Sequence, residues 1–202
     1  MSHRHPFFVM IIRKKELAVN KWSGGTTTEL FIYPENSSYA SRDFDYRIST
    51  ATVETDRSEF THLPDYNRIL CVLDGELTMK FKTDSGADSS FELLPLEQAS
   101  FPGSLKITGF GKVTDFNIIF KPEYRASAEM ISYDQNEEHK LTLKEDRCFI
   151  WVVEGELLTP FGPCAAEEFY VVEPNGVTII HATVNTTIIL ILLHLDNPEG
   201  NS

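Results

Sequence analysis

The chain has 202 residues, and 42% of them are hydrophobic, which is enough for one large domain or two small ones with ordinary cores. Its 30 acidic and 18 basic side chains give a net charge of -12. A field of that sign repels phosphate backbones and anionic membrane surfaces. The hydrophobic fraction therefore argues against a disordered chain, and the net charge argues against nucleic acid or a membrane as the partner.

The apolar runs near the two ends are short. Phe7–Ile12 is shorter than the core of a signal peptide and has no small-residue cleavage site behind it. Ile188–Leu193 is far below the roughly twenty residues that span a bilayer. The three cysteines, Cys71, Cys148 and Cys164, share no Cys-x-x-Cys spacing, so neither a disulfide framework nor a zinc site is indicated. We therefore predict a cytoplasmic protein that does not insert into a membrane.

Strand patterns dominate the rest of the chain. Runs of β-branched and aromatic residues, such as Phe44–Glu54 and Ile69–Leu73, alternate with stretches rich in Gly, Pro, Asn, Asp or Ser. Only Glu123–Met130 has a weak helix-like composition, and the polar stretch Asp134–His139 follows it. The sequence predicts an all-β fold with a linker near its middle.

Two stretches of similar pattern lie about eighty residues apart: Ile69-Leu-Cys-Val-Leu-Asp-Gly-Glu-Leu77 and Phe149-Ile-Trp-Val-Val-Glu-Gly-Glu-Leu157. A buried strand that enters a tight turn through an acidic residue, Gly and Glu is typical of a barrel strand, and its repetition predicts a duplicated β-barrel. The predicted parts are an N-terminal barrel over 1–122, a linker over 123–139, a shorter C-terminal barrel over 140–195 and a frayed tail over 196–202.

The repeated Gly-Glu turns, together with the later Pro174-Asn-Gly176, resemble those of the cupins, whose double-stranded β-helix is a small jelly-roll barrel. The resemblance implies a bicupin, with two tandem cupin-like barrels packed as one. Metal-binding cupins place a His-x-His pair and a Glu before the first such strand and a further His after the Pro-x-Gly. Here a single His62 and a single His139 precede the two repeats, and Ile179 occupies the last position. We therefore predict no metal and no other cofactor.

The first half carries a longer series of motifs. In chain order they are Trp22-Ser-Gly-Gly-Thr-Thr-Thr-Glu-Leu30, Phe44-Asp-Tyr-Arg-Ile-Ser-Thr-Ala-Thr-Val-Glu54, Phe60-Thr-His-Leu-Pro64 with Arg68, and Asp115-Phe-Asn117. This ordered series resembles the HutD/Ves family over roughly Ile11 to Leu195, more weakly in the second half. The resemblance implies a two-barrel cupin without an established catalytic activity, often encoded among bacterial histidine-utilisation genes or linked to stress responses.

Alternation along Phe44–Glu54 places Arg47, Ser49, Ala51 and Val53 on one face. An arginine beside small residues leaves space for a planar group, and its fork of donors matches a carboxylate. If Arg47 is buried, it needs a partner. Either Glu29 or Asp115 would make a structural ion pair with it, or Arg47 binds the acid group of a small metabolite, and both can hold together.

The same alternation groups Thr27, Glu29 and Phe31 on one face, and Asp115, Asn117 and Ile119 on another. Polar side chains inside apolar strands need partners, so they could line one pocket together with Arg47. The predicted ligand-binding residues are Arg47, Ser49, Glu29, Thr27, Asp115 and Asn117, with Trp22 and His62 at the pocket mouth. No residue is assigned a catalytic role.

Three functions stay open at this point. The first is a non-enzymatic, small-molecule-binding bicupin, regulatory or sensory, whose Arg47 anchors a small acidic metabolite. The second is an isomerase or lyase acting on a small carboxylate, either metal-independent or holding a metal through Glu29, Asp115 and a histidine. The third is an assembly module, because cupins commonly pair through sheet edges and Ile188–Leu193 could form the interface of a homodimer.

Overall fold

The computed structural model describes residues 10–83, 85–174 and 176–196. This part of the chain contains no α-helix, and it forms strands joined by turns and one short 3₁₀ turn at Lys14–Glu16. The prediction of an all-β fold is confirmed. None of the described residues belongs to a helix that is long and apolar enough to cross a membrane. The predicted tail over 196–202 lies, apart from Asp196, outside the described residues, as does the start of the apolar run Phe7–Ile12.

The strands are numbered in chain order. They are β1 (Met10–Ile12), β2 (Ala18–Trp22), β3 (Gly25–Tyr33), β4 (Tyr46–Val53), β5 (Arg57–Glu59), β6 (Asn67–Gly75), β7 (Leu77–Lys82), β8 (Asp88–Leu93), β9 (Gln98–Pro102), β10 (Ile107–Phe110), β11 (Val113–Phe120), β12 (Tyr124–Tyr133), β13 (Glu138–Thr142), β14 (Arg147–Glu154), β15 (Glu156–Thr159), β16 (Gly162–Ala165), β17 (Phe169–Val172), β18 (Val177–Ala182) and β19 (Thr186–Leu195).

One compact unit comprises residues 18–122. It contains a six-stranded antiparallel sheet in the order β2-β3-β4-β11-β6-β9 and a four-stranded sheet in the order β5-β10-β7-β8. Both sheets contribute side chains to one apolar core because their strands alternate apolar and polar residues. Neither sheet closes on itself. The core is built from Val53, Leu70, Val72, Leu77, Met79, Leu93, Phe101, Ile107 and Val113.

A second compact unit is formed by residues 10–17 together with the described residues after 122. Its five-stranded sheet has the order β1-β17-β14-β19-β12, and its four-stranded sheet the order β13-β18-β15-β16. Here too the two sheets share one core, which includes Cys148, Ile150, Leu157, Cys164, Tyr170, Val172, Ile180 and Ile188. Burial raises the pKa of the Cys148 and Cys164 thiols to about 12, as expected for inert core cysteines.

The chain is divided differently from the predicted domains. β1 pairs with β17, with Ile11 opposite Tyr170, so residues 10–17 group with the second half and not with an N-terminal barrel over 1–122. The segment 123–139 is not a linker, because it contains all of β12 and the start of β13. β12 pairs with β19 along its whole length, from Tyr124–Leu195 to Tyr133–Thr186. This continuous ladder outweighs the weak helical propensity of its Ala, Glu and Met residues.

The repeated motif forms the same local structure twice. Gly75 is the last residue of β6 and Gly155 directly follows β14, and their φ angles are 83° and 84°. Each strand also shows a register irregularity near its glycine, in β6 where it pairs with β11 and in β14 where it pairs with β19. The sequence repeat therefore corresponds to a repeated strand-turn-strand unit, one copy in each compact unit.

Candidate functional site

The unit of residues 18–122 contains a cavity of about 640 Å³ on the face of its six-stranded sheet. Strands β3, β4, β6 and β11 supply its floor, and segments around Tyr39 and Phe60 contribute to its walls. Predicted site residues that line the cavity are Arg47, Ser49, Glu29, Thr27, Asp115, Asn117 and Trp22. His62 is exposed and is not among the lining residues, so its predicted place at the pocket mouth is wrong.

The strand register brings the polar residues into rows. Ser49 lies opposite Glu29 of β3 on one side and opposite Asn117 of β11 on the other. The next row, two residues further along β4, aligns Ala51 with Thr27 and Asp115. Because residues directly opposite each other across an antiparallel pair share a face, these side chains all point toward the cavity.

A bulge in β3 limits the predicted alternation. The register shifts between Glu29 and Phe31, so that Phe31 pairs with Ile48 and its ring stacks on Tyr46 at 6.1 Å. Phe31 therefore lies on the face opposite Glu29, contrary to the prediction. A one-residue bulge moves every later side chain of the strand to the other face.

Arg47 is held by three neighbours. Its Nε donates to Oε2 of Glu29 at 2.6 Å, and its Nη1 donates to Oγ of Ser49 at 3.0 Å. The ring of Tyr39 lies over the guanidinium, with its centroid 4.5 Å from Cζ. The side chain of Arg47 is only 6% exposed. The ion-pair partner that a buried arginine requires is thus Glu29, and the guanidinium is fixed in one orientation at the cavity wall.

The loop before β4 positions Tyr39. Tyr39 packs on Phe44 with a centroid distance of 6.2 Å, and Phe44 stacks on Tyr66 at 4.5 Å. The Tyr66 hydroxyl donates to the backbone carbonyls of Arg42 and Phe44, at 2.8 and 2.9 Å. Tyr66 therefore secures the loop that carries Tyr39, and burial raises the pKa of its phenol.

A second buried arginine, Arg68, also lines the cavity, and the sequence prediction of the site missed it. Arg68 is 7% exposed, and its guanidinium carbon lies 5.1 Å from the Phe60 ring and 5.4 Å from the Phe101 ring. Among the described residues, its buried Nε has no hydrogen-bond partner. The predicted strand began at Ile69, whereas β6 begins at Asn67, and alternation from there places Arg68 on the same face as Leu70. The signal was therefore present in the sequence.

Asp115 lies buried at the floor of the cavity. Burial raises the pKa of its carboxyl to about 7, and the positive charge of Arg68 opposes that shift. Burial also lowers the pKa of the Arg68 guanidinium, while Asp115 opposes the lowering. A carboxyl group that titrates near neutrality inside a cavity can donate or accept a proton, a property shared by many functional sites.

Trp22 covers part of the cavity edge and is 42% exposed. Its ring packs against the backbone at Gly24, where an added Cβ would come within 2.0 Å of a ring carbon. At Gly25, a Cβ would lie 1.9 Å from the Thr52 carbonyl oxygen. The paired glycines therefore permit close approach of Trp22 and of β4, and this explains the Gly-Gly of the motif.

The site does not fit the metal of metal-binding cupins. Among residues 10–83, 85–174 and 176–196, no three His, Cys, Asp or Glu side chains converge in an arrangement that could hold a metal ion. The cavity also contains the buried guanidinium groups of Arg47 and Arg68, whose positive charges repel a divalent cation.

A family model described as HutD matches residues 14–166. The chain belongs to the HutD family. This confirms the family resemblance seen in the motifs. The matched range includes every residue that lines the cavity, from Asn20 to Ile119. A search of curated proteins finds no match to this HutD chain.

Solved structures support a cupin-type fold for this HutD chain. A conserved protein of unknown function, PA5104 from Pseudomonas aeruginosa, is 20% identical with a TM-score of 0.75, covering 93% of this chain and 100% of its own. HutD from Pseudomonas fluorescens is 21% identical with a TM-score of 0.69, and the alignment covers 94% of this chain and 100% of that protein. The pirin YhhW of Escherichia coli, in a nickel(II) complex, is 12% identical with a TM-score of 0.70, covering 92% and 98%. These likenesses show the fold alone.

Proposed function

We propose that this HutD-family protein is a non-enzymatic bicupin that binds a small acidic metabolite in the cavity of the unit formed by residues 18–122. Two cupin-like barrels in tandem are supported by the repeated strand-turn-strand unit, one copy in each compact unit. We assign it a regulatory or sensory role, since the family resemblance implies a cupin without an established catalytic activity. Its place in the cytoplasm, and the exclusion of nucleic acid and membranes as partners, stay predictions from the cysteines and the charge.

One observation carries the proposal: Arg47 is buried, oriented and adjacent to an open volume. A guanidinium has five N–H donors, and the contacts with Glu29 and Ser49 each engage one of them. The Tyr39 ring fixes the plane of the group without using donors at its edge. A carboxylate that enters the cavity therefore meets an arginine that has already lost its conformational freedom, which favours binding.

The test is equilibrium binding of small carboxylates to the wild type and to Arg47→Ala. The panel includes urocanate and formylated glutamate, the carboxylates that a histidine-utilisation role would supply. We expect at least one to bind, and Arg47→Ala to cost about 1.5–3 kcal/mol of binding free energy, because a hydrogen bond to a charged group is lost. Titration calorimetry measures the difference.

Arg125→Ala is the matched control, because Arg125 is 70% exposed and pairs with Asp196 in the other unit. It should bind the panel as the wild type does. Removal of Arg47 leaves Glu29 without its partner, so circular dichroism must show that the variant is folded. Equal affinity of a folded Arg47→Ala and the wild type would remove Arg47 from the site.

A further inference from the structure

Two arginines in the cavity lie in one row of the sheet. Arg47 of β4 is directly opposite Ile119 of β11, and Ile119 is directly opposite Arg68 of β6. Neighbouring strands lie about 4.8 Å apart, so the two arginines start from backbone positions about 10 Å apart, on the same face. Both side chains line the same cavity, with only an aliphatic residue between them in the row.

The two positive charges are not equally compensated. Arg47 has an ion pair with Glu29 at 2.6 Å. For Arg68, no ion pair within 4.0 Å exists among the described residues, and its Nε is a buried donor without an acceptor. Burial lowers the Arg68 pKa, Tyr39 and Asp115 oppose that lowering, and the charge of Arg47 across the row adds to it. Asp115 therefore compensates Arg68 in part, but it makes no ion pair with it within 4.0 Å among the described residues. A buried donor of this kind requires an acceptor, and the cavity is the open side.

Asn117 adds a second buried polar atom without a partner. It lies in the neighbouring row, between Ser49 and Leu70, and is 8% exposed. Its Oδ1 has no hydrogen-bond partner among the described residues. Unpaired polar atoms in a core are rare and costly, so two of them lining one cavity indicate a surface shaped for a polar molecule.

We propose that Arg68 is a second anion anchor and that the ligand of this cavity carries two anionic groups, one held at Arg47 and one at Arg68. The proposal rests on the proposed function and deepens it by defining the ligand class as a short dianion, such as a dicarboxylate. The hydrocarbon between the two acid groups lies over Ile119, and the Phe60 and Phe101 rings hold the Arg68 guanidinium in place.

Calorimetric titrations with butyrate, malonate, succinate, glutarate and adipate test this proposal on the wild type, Arg47→Gln and Arg68→Gln. We expect the wild type to bind its best dicarboxylate roughly 10- to 100-fold more tightly than butyrate, the range of an added charge-assisted contact. Arg68→Gln should bring that dicarboxylate down to the butyrate level while butyrate affinity changes less than about twofold. Arg47→Gln should weaken both probes.

The outcomes separate this inference from the proposed function. If butyrate binds through Arg47 but no dicarboxylate gains affinity, the ligand carries one acid group, and the dianion proposal is overturned while the proposed function stands. The dianion proposal is likewise overturned if the ratio of dicarboxylate to butyrate affinity is equal in the wild type and Arg68→Gln. A wild type that binds none of these probes overturns the dianion proposal. If it also binds neither urocanate nor formylated glutamate, the proposed function is overturned as well. The chain-length series on the wild type decides the question even if Arg68→Gln does not fold.

Discussion

Asp115 makes the stability of the protein depend on pH. Burial raises the pKa of its carboxyl from 3.8 to about 7, so the folded state binds the proton more tightly than the unfolded state does. The stabilisation from the protonated form is complete below pH 4 and is lost as the pH rises to 7. The expected slope is at most about 1.4 kcal/mol per pH unit.

Asp115→Asn removes this titration. The free energy of unfolding of the variant, relative to the wild type, should therefore rise with pH between about 4 and 7, the window set by the shifted pKa. The other charged groups that line the cavity with Asp115 are Arg68 of β6, Arg47 of β4, Glu29 of β3, Lys21 of β2 and Glu59 of β5. Urea unfolding at several pH values measures the effect.

Asp56→Asn serves as the control for this experiment, since the side chain of Asp56 is 92% exposed and the only ion pair described for its carboxylate is with Lys112, at 3.6 Å. This variant shows the effect of an exposed Asp-to-Asn change on the same urea unfolding curves. A stability difference between Asp115→Asn and the wild type that is constant with pH would mean that the Asp115 carboxyl titrates in the folded protein as it does in the unfolded chain.

A residue of the site could be predicted from the sequence when its position depends on one strand alone, and could not when it depends on contacts between distant segments. Arg47 and Ser49 follow from alternation along one strand, because period two is a property of the backbone itself. Phe31 was misplaced since a bulge depends on how β3 pairs with β4, which no single strand reveals. Tyr39 could not be found, because it reaches Arg47 from a loop whose path is set by Tyr66.

At the scale of elements, the two turn glycines have a backbone that other residues tolerate poorly. Gly75 has φ of 83°, and an added Cβ would lie 2.3 Å from the Lys112 carbonyl oxygen. Gly75→Ala must therefore both adopt a left-handed conformation and push two backbone segments apart. We expect a loss of about 2–4 kcal/mol in the free energy of unfolding, measured by urea denaturation.

Gly86→Ala separates the two causes. Gly86 has nearly the same φ, 82°, but an added Cβ would meet nothing within 4 Å. This control should lose only the conformational part, about 1–2 kcal/mol. If the two variants were equally destabilised, the close approach of Lys112 would contribute nothing, and the turn would need glycine for its φ alone.

The strands were predicted best where at least one face of the strand is apolar. β4 and β6 were recognised within two residues of their bounds, because β-branched and aromatic residues dominate them. β2 was missed, since all of its residues are exposed and its sequence has no apolar face. β12 was misinterpreted because its strand character comes from pairing with β19, which lies far along the chain, from Tyr124 opposite Leu195 to Tyr133 opposite Thr186.

At the scale of the whole molecule, one of the two compact units is built from two separate stretches of the chain, one before residue 18 and one after residue 122. β1 precedes residues 18–122 but pairs with β17 in the unit that follows them. Next to it, Arg13 donates from Nη1 to the Pro163 carbonyl at 2.7 Å and to Glu168 at 2.6 Å. Pairing between distant segments cannot be read from local patterns, so the prediction assigned this strand to the N-terminal domain.

Removal of residues 1–13 tests whether β1 belongs energetically to the second unit. Without β1, β17 becomes an edge strand, and Ile11 no longer packs on the core of that unit. We expect amide exchange in Phe169–Val172 to accelerate by at least about tenfold, since each lost 1.4 kcal/mol of protection is a factor of ten, whereas exchange in β3 should not change. If β17 stayed protected, or if β3 were exposed equally, β1 would not stabilise the unit to which its hydrogen bonds assign it.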